Sequence, residues 1–249
     1  MVLILLAALT SRGGPPFTTD DPEPVEYQHW EFYLASQDFK TAAGRTGTGP
    51  HAEVNYGVVP NVQLHVIAPL AYSTPSAGGS AYGYGDTELG MKIRFVEETN
   101  WLPQIGIFPL LEVPTGSAGR GLGNGRPQGF LPLWLQKSIG EWTVYGGGGY
   151  GINSGTGNRD WNFVGAVVQN QVRTNLLLGA EVYRQSAEQA GGRDNLAFNL
   201  GAVFDFSPSQ HLLLSAGRSL DGPVDFQVYL AYQFTFDNSL FHLWNRPRH

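Results

Sequence analysis

Polar and ionisable side chains recur at every second position along several segments of this chain. Glu88, Lys92 and Arg94, for example, alternate with apolar residues, and a period of two puts them on one face of a strand. Such a face could line a solute path in which fixed charges select among permeants. It could equally be the polar filling of a closed barrel. The candidates for a lumen lining are His29, Glu31, Glu53, Asn55, His65, Glu88, Lys92, Arg94, Glu112, Glu181, Asn199 and Tyr229.

Patterns that would indicate catalysis, metals or nucleotides are weak in this chain. His211 and Ser215 share one face of a strand, but four residues of strand span about 13 Å, which is beyond hydrogen-bond reach. The 6 histidines have no zinc-like spacing, so no metal site is predicted. The Gly-rich run at 119–125 is not followed by a helical period, which a dinucleotide fingerprint requires. No cofactor and no enzyme activity are predicted, although a cross-strand partner for His211 stays open.

Strands must position these side chains, because the alternation recurs along nearly the whole chain at lengths of about 9–11 residues. A tilted strand needs that length to cross a membrane. Alternation, together with turn residues, predicts twelve strands. They are Tyr27–Ser36, His51–Val59, Asn61–Leu70, Tyr84–Val96, Leu102–Val113, Gln128–Ser138, Trp142–Ile152, Asp160–Gln171, Asn175–Ser186, Asp194–Phe206, Gln210–Ser219 and Val224–Phe236.

The connections between these strands alternate in character. Odd-numbered strands lead into polar or Gly-rich segments, which are Gln37–Pro50, Ala71–Gly83, Pro114–Pro127, Asn153–Arg159, Ala187–Arg193 and Leu220–Pro223. Even-numbered strands lead into tight turns, and long loops gathered at one end are typical of outer-membrane barrels. The sequence thus predicts an all-β fold, a transmembrane up-and-down antiparallel β-barrel of about 12 strands.

The opposite faces of the strands are apolar, as a lipid-facing surface requires. One such set is Leu131, Leu133 and Leu135. Prolines inside predicted strands are interpreted as bulges, because proline cannot donate to the ladder. They are Pro69, Pro109 and Pro132. The strand Asp160–Gln171 has apolar residues on both faces, so its lipid-facing side is left open.

Composition leaves two classes of β protein open. Charged residues make up 14% of the chain, below the roughly 25% typical of soluble domains, and Gly numbers 33. The mean hydropathy of −0.17 suits a membrane barrel with a polar interior. A Gly-rich soluble sandwich would have a similar composition. The net charge of −6 argues against nucleic acid as a partner, since phosphates need a basic surface.

The two ends of the chain are expected to lie outside the barrel. Residues 1–14 include the apolar run Val2–Leu9 and resemble a partial signal peptide. The barrel is expected over 15–236, with 15–26 as a periplasmic lead-in, and 237–249 is expected to form a C-terminal tail. Such a protein belongs in the outer membrane of a Gram-negative bacterium. Its expected partners are outer-membrane lipid and the barrel-assembly machinery.

Two motifs are characteristic of a known family. The first is Gly14-Pro-Pro-Phe-Thr-Thr-Asp-Asp-Pro-Glu-Pro-Val25 followed by His29-Trp-Glu-Phe-Tyr33, and the second is Tyr82-Gly-Tyr-Gly-Asp-Thr-Glu-Leu-Gly90. Through them the chain resembles the outer-membrane family labelled "MetA-pathway of phenol degradation", whose members are described as transporters. The resemblance implies an outer-membrane barrel that passes small compounds, with aromatic compounds as one candidate class. It carries over no site residues.

The sequence therefore predicts an outer-membrane channel or porin-like transporter for small solutes, hydrophobic or aromatic compounds among them. Two alternatives stay open. One is an outer-membrane hydrolase that uses the barrel wall as its scaffold, and the other is a secreted soluble β-sandwich that binds a ligand. Solubility without detergent would favour the sandwich, and activity on lipid or ester substrates would favour the hydrolase.

Overall fold

Fourteen strand segments account for the regular structure of residues 15–238, the part of the chain that the computed structural model describes, apart from one short 3-10 helix, Ala118–Arg120. The segments are β1 (His29–Thr41), β2 (Gly44–Val59), β3 (Val62–Pro75), β4 (Ala81–Tyr84), β5 (Thr87–Val96), β6 (Gln104–Ile107), β7 (Leu110–Val113), β8 (Gln128–Ile139), β9 (Trp142–Asn153), β10 (Trp161–Arg173), β11 (Leu176–Gln185), β12 (Asn195–Ser207), β13 (Gln210–Asp221) and β14 (Val224–Asp237). Within the described residues, no helix is long and apolar enough to cross a membrane.

The sheet closes on itself. Successive strands pair antiparallel along the chain, and β1 then pairs with β14 over its whole length, from His29 opposite Asp237 to Thr41 opposite Val224. Closure leaves each strand segment with two neighbours, except the short β4, which pairs with β3 alone. The alternative of a soluble β-sandwich is wrong, because one continuous sheet forms a barrel instead of two facing layers.

The fourteen segments form twelve transmembrane strands. β4 and β5 are two parts of the fourth strand, since both pair with β3, and β6 and β7 are two parts of the fifth, since both pair with β5 and β8. Each predicted strand corresponds to one of these twelve. The prediction of an up-and-down antiparallel barrel of about 12 strands is therefore confirmed.

Prolines explain where the fourth and fifth strands are interrupted. Pro69 on β3 has no N–H to donate, and the partner strand leaves the ladder beside it at Gly85 and Asp86. Across the other interruption, β6 pairs with β8 as far as Ile107 opposite Leu133, and β7 resumes at Leu110 opposite Phe130. Pro109 and Pro132 lie at this gap, where the fifth strand is interrupted while β8 continues through Pro132, which stays paired with Gly149 of β9. The expected bulge at Pro109 is therefore an interruption of the strand.

The apolar faces are on the outside of the barrel, as predicted. Leu131, Leu133 and Leu135 are all exposed, whereas the residues between them are buried. The structure also decides which face of β10, the strand with two apolar faces, points outward. Val164 and Val168 of β10 are exposed, whereas Val167 retains only 1% exposure, so the face that carries Val164 and Val168 points outward.

The prediction of a long loop at Gln37–Pro50 is wrong. β1 continues to Thr41 and β2 begins at Gly44, so most of that segment is a paired hairpin. Likewise β3 continues to Pro75, which shortens the loop expected at 71–83. These glycine- and threonine-rich stretches resemble loops in sequence, but cross-strand pairing keeps their backbone extended. The longest connection is 114–127, between β7 and β8. The expected signal peptide (1–14) and all but the first two residues of the expected tail (237–249) lie outside the described residues.

A depth-dependent stability test follows from the outward faces. Leu200 lies near the middle of β12 and is 61% exposed, whereas Ile139 ends β8 and is 71% exposed. We expect Leu200→Arg to lower the free energy of unfolding by about 2–4 kcal/mol, because the charge enters hydrocarbon. The matched Ile139→Arg should cost only about 0–1 kcal/mol. Urea unfolding in lipid vesicles measures both, and equal losses would contradict the assigned membrane position.

Candidate functional site

The N-terminal segment, Pro15–Glu26, lies inside the barrel. Phe17 is buried, and its ring packs on Gly179 of β11 and Gly201 of β12, which face each other in the strand register. A Cβ at either glycine would come within 2.8 Å of this ring. The absence of side chains at these two positions therefore creates the space that Phe17 occupies. From the sequence, this segment was expected as a periplasmic lead-in.

One carboxylate holds the segment to the barrel wall. Glu181 of β11, itself 3% exposed, accepts the backbone N–H groups of Thr18 at 3.2 Å and Thr19 at 2.5 Å. Asn199 of β12 donates its side-chain amide to the same carboxylate at 2.6 Å. These bonds satisfy a buried charge, which would otherwise be costly. Glu181 thus fixes the backbone of the N-terminal segment at one depth in the barrel.

A buried ion pair provides a second attachment. The Lys92 ammonium of β5 lies 2.9 Å from the Asp20 carboxylate and 3.6 Å from that of Asp21, and it also lies over the Phe108 ring at 5.0 Å. Lys92 is only 5% exposed. A lysine in such a position needs nearby carboxylates, because breaking a buried pair leaves an uncompensated charge. The two aspartates of the segment are therefore the counter-ions of an inward-facing lysine.

The end of the segment is held by amide side chains. The Glu23 carboxylate accepts hydrogen bonds from Gln104 at 3.3 Å and Gln136 at 3.1 Å. Gln63 of β3 accepts the N–H of Val25 at 2.8 Å. At the other end of the segment, the Ser215 hydroxyl donates to the backbone oxygen of Pro16 at 2.6 Å. Contacts from strands on opposite sides of the barrel thus hold the segment across the interior.

Four of the lumen candidates form one hydrogen-bonded network on β2, β3 and β5. The His65 ring lies 2.6 Å from the Asn55 oxygen and 2.9 Å from the Glu88 carboxylate. Asn55 donates to Glu53 at 2.8 Å. These four polar groups hydrogen-bond to one another, as expected if they fill the interior of a closed barrel, which is one of the two interpretations left open by the sequence.

The remaining candidates are spread along the strands, and His29 among them has a half-exposed side chain. Arg94 donates twice to the Asn61 side chain and once to Gln104. Glu31 accepts the Tyr33 hydroxyl at 2.8 Å, and Glu112 faces Glu88 across β5 and β7. The other two occupy less connected positions. The His29 ring lies 3.1 Å from the backbone oxygen of Tyr27, and the Tyr229 hydroxyl is buried without a hydrogen-bond partner among the described residues.

An aromatic cluster occupies the other half of the interior. Its core is Trp134 with Phe163 at 6.0 Å between ring centroids, and Tyr183 stacks on Phe163 at 5.6 Å. Phe130 stacks on Trp161 at 4.8 Å and joins the cluster. Rings at these separations attract one another beyond simple burial. This half of the barrel therefore offers aromatic surface, whereas the half near Pro24 and Glu26 is ionic.

A loop covers the barrel end near this aromatic cluster. Asp86, in the interruption of the fourth strand, accepts the backbone N–H of Gly116 at 2.8 Å and of Asn124 at 2.6 Å. Leu122 of the same loop is 4% exposed and packs against Gly83 of β4. Thr115 and Arg120 of this loop also donate to the backbone oxygens of Gly85 at 2.8 Å and Tyr82 at 3.0 Å. The connection 114–127 is thus fastened to the fourth strand by the Asp86 carboxylate and by these hydrogen bonds.

A cavity of about 240 Å³ lies at the other end, and we call it the vestibule. Its lining includes Asp20, Glu23, Glu31, Tyr33, Glu53 and Gln233. The N-terminal segment forms one side of it, and β14, β1 and β2 form the opposite side. Charged groups of the segment and of the wall therefore face one shared space.

The segment and its partners are the functional residues that the sequence reading misses. The segment and its partners lie up to 199 residues apart in the chain, and no periodic pattern connects them. One signal was present, in that the inner faces of β11 and β12 carry glycines beside a lone carboxylate. The residues His211 and Ser215 are engaged separately, the former with Asp205 at 2.6 Å and the latter with Pro16. Among residues 15–238, no group of three or more His, Cys, Asp or Glu side chains could hold a metal ion.

Comparison with known proteins bears on this arrangement. Residues 37–238 match the family described as "Putative MetA-pathway of phenol degradation". The chain belongs to this family. No curated protein matches the sequence. Among solved structures, an outer membrane channel from Pseudomonas putida F1 is 18% identical with a TM-score of 0.72, covering 87% of this chain and 98% of that chain.

Two other solved barrels share the fold. The KdgM porin is 9% identical with a TM-score of 0.56 and covers 83% of this chain and 99% of its own. The translocator domain of the autotransporter NalP from Neisseria meningitidis is 12% identical with a TM-score of 0.51, covering 84% of this chain and 86% of its own. At such identities the likeness is one of fold, that of outer-membrane barrels.

The attachment at Glu181 can be tested through Thr19, which is fully buried. The chain has no native Cys, so Thr19→Cys introduces a unique thiol. Adding Glu181→Ala removes two charge-assisted hydrogen bonds, each worth about 1.5–3 kcal/mol. We therefore expect a thiol reagent to modify this thiol at least about tenfold faster in the Glu181→Ala background. Glu112→Ala, which removes an inward carboxylate that bonds no described part of the segment, should leave the rate unchanged. Equal rates in all three backgrounds would contradict the attachment.

Proposed function

We propose that this protein is an outer-membrane channel for small solutes, and that its N-terminal segment closes the path. The observation that carries the proposal is the attachment of Pro15–Glu26 inside a closed barrel through side-chain contacts. The strands are held by continuous backbone ladders, whereas the segment is held by a few polar groups, of which Glu181 and Lys92 are the principal ones. Release of these groups would open the interior without disturbing the wall.

The exposed apolar belt and the closed ladder suit a bilayer, in which backbone groups must be satisfied inside the protein. We assign the protein to the bacterial outer membrane, where it would contact lipid and be folded by the barrel-assembly machinery. The fold it shares with the Pseudomonas putida outer membrane channel and the KdgM porin supports this assignment.

The proposed path runs between the loop 114–127 and the vestibule. It would pass the aromatic cluster of Trp134 and Phe163, and then the ionic groups that contact the segment. The ring surface suits hydrophobic or aromatic solutes, in keeping with the family to which the chain belongs. In this proposal the twelve inward-facing candidates line the path once the segment has moved.

A disulfide can hold the segment in place and so test the closure. The Ser215 hydroxyl lies 2.6 Å from the backbone oxygen of Pro16, so residues 16 and 215 are in contact, and a disulfide between cysteines at these positions would join the segment to β13. We expect the oxidised Pro16→Cys/Ser215→Cys protein to be closed in a planar bilayer, and reductant to restore intermittent conductance. Glu181→Ala should raise the open fraction several-fold, because the segment loses its anchor.

The single variant Ser215→Cys, which cannot form the bond, serves as the control and should not respond to reductant. Absence of conductance in the wild type, in Glu181→Ala and in the reduced double-cysteine protein would contradict a channel. Conductance that is the same in the oxidised and reduced forms would contradict closure by the segment.

A further inference from the structure

We propose that His65 and Glu88 form a proton-binding site, and that the bound proton helps to hold the N-terminal segment inside the barrel. This inference deepens the proposed function, because its consequence for the open fraction of the channel rests on closure by the segment. Protonation of the site itself can be measured whether or not the barrel conducts.

A glycine lets the His65 ring reach across to the neighbouring strand. Gly90 of β5 lies directly opposite His65 of β3 in the strand register. A Cβ at Gly90 would come within 3.2 Å of His65 Cδ2 and within 2.8 Å of the Phe108 ring. The imidazole therefore packs edge-on against Phe108, with 5.2 Å between the ring centroids, and its Nε2 lies 2.9 Å from Glu88 of β5. The side chain of His65 is 5% exposed, so the ring is fixed in a buried position between two strands.

The hydrogen-bond directions place an additional proton on this site. Asn55 donates its amide nitrogen to Glu53 at 2.8 Å, and its oxygen lies 2.6 Å from His65 Nδ1. Because an amide oxygen only accepts, Nδ1 carries a hydrogen. Nε2 lies 2.9 Å from a Glu88 oxygen, and an ionised carboxylate also only accepts. A neutral imidazole has one N–H, so the arrangement holds one proton more than a neutral His65 beside an ionised Glu88.

The neighbouring charges favour the imidazolium form of the ring. Two cations and four carboxylates form the ion pairs of this region, and they are His65 and Lys92 with Asp20, Asp21, Glu53 and Glu88. The Phe108 ring contacts both cations, since the Lys92 ammonium lies 5.0 Å from its centroid. Asp20 interacts electrostatically with His65 as well as with Lys92. Further titratable groups near this site are His51 of β2, Glu31 of β1 and Glu112 of β7. An opposite charge within about 4–6 Å favours the charged form of a group.

Loss of the proton would change the balance of charge around the segment. A neutral ring keeps one N–H, and its Nε2 then presents a lone pair to the Glu88 carboxylate. Of the six paired groups, Lys92 alone would stay cationic. Glu53 and Glu88 are fixed on paired strands. Asp20 and Asp21 belong to the segment, so its release relieves the repulsion among the carboxylates. The proton thus favours the closed state, and the segment should be released as the pH rises.

Nuclear magnetic resonance of the folded protein in detergent, with the histidine ring nitrogens labelled, tests the site directly. At about pH 7.5, where an ordinary histidine is mostly neutral, we expect both nitrogens of His65 to be protonated. The chemical shift of the Thr19 amide, which is bonded to the barrel wall, should change at the pH midpoint at which His65 loses its proton. Glu88→Gln should lower this midpoint by about one pH unit, a tenfold weaker proton affinity, because the carboxylate acceptor is lost. The control His211→Gln replaces a buried histidine of β13 and should leave the midpoint unchanged.

The open fraction in a planar bilayer tests the consequence for transport. We expect it to rise several-fold between about pH 6 and pH 9 in the wild type, and to follow the midpoint of His65. His65→Gln, which removes the cation at every pH, should be as open at about pH 6 as the wild type is at about pH 9 and should lose the pH dependence. Migration of unboiled protein on a cold SDS gel confirms that each variant is folded.

The failures of the two proposals can be told apart. A neutral His65 ring at about pH 7.5 would overturn the proton-binding site. A titration of His65 that leaves the Thr19 amide unchanged would overturn the role of the proton in holding the segment. If both resonance results are as expected and no conductance is seen at any pH, the proton-binding site is supported and the channel is overturned.

Discussion

The closed backbone ladder is the constraint on which the rest of this structure depends. In hydrocarbon, every strand N–H and C=O must find a partner within the protein, and the pairing of β1 with β14 meets that requirement. Closure also decides the surroundings of each residue, because alternate side chains must point to the outside of the barrel or to its interior. The interruptions occur where a proline cannot donate, beside Pro69 and between Pro109 and Pro132.

A barrel of twelve strands leaves an interior that must be filled or hydrated. In this protein the interior is filled from two sources. Aromatic side chains of the wall occupy one half, and the N-terminal segment occupies space beside Gly179 and Gly201. The segment also supplies the partners of buried charges, with Asp20 and Asp21 for Lys92 and backbone N–H groups for Glu181. Its removal would therefore leave charges that only water could compensate. In the proposed channel, Lys92 and Glu181 therefore hold the segment when the path is closed and line the path when it is open.

Alternation and turn residues were enough to predict the twelve strands and most of their faces, because both are local properties of the sequence. They could not decide the face of β10, where Val167 and Val168 are equally apolar. Nor could they identify the first hairpin, whose glycines and threonines resemble a loop until cross-strand pairing is known. For the candidate site, only the inward-facing residues of the strands were predicted, and the N-terminal segment that contacts them was not. The opposing contacts, such as Thr19 with Glu181, join residues 162 positions apart and leave no periodic trace in the sequence.

The central claim is that the N-terminal segment is held inside the barrel, and amide hydrogen exchange tests it most directly. The N–H groups of Thr18 and Thr19 are bonded to the buried Glu181 carboxylate, so their exchange should be slowed to an extent comparable with strand amides such as that of Val167. Glu181→Ala should selectively speed the exchange of these two amides. Exchange of Thr18 and Thr19 at the rate of an unstructured peptide in the intact protein, with the strand amides still protected, would contradict the account.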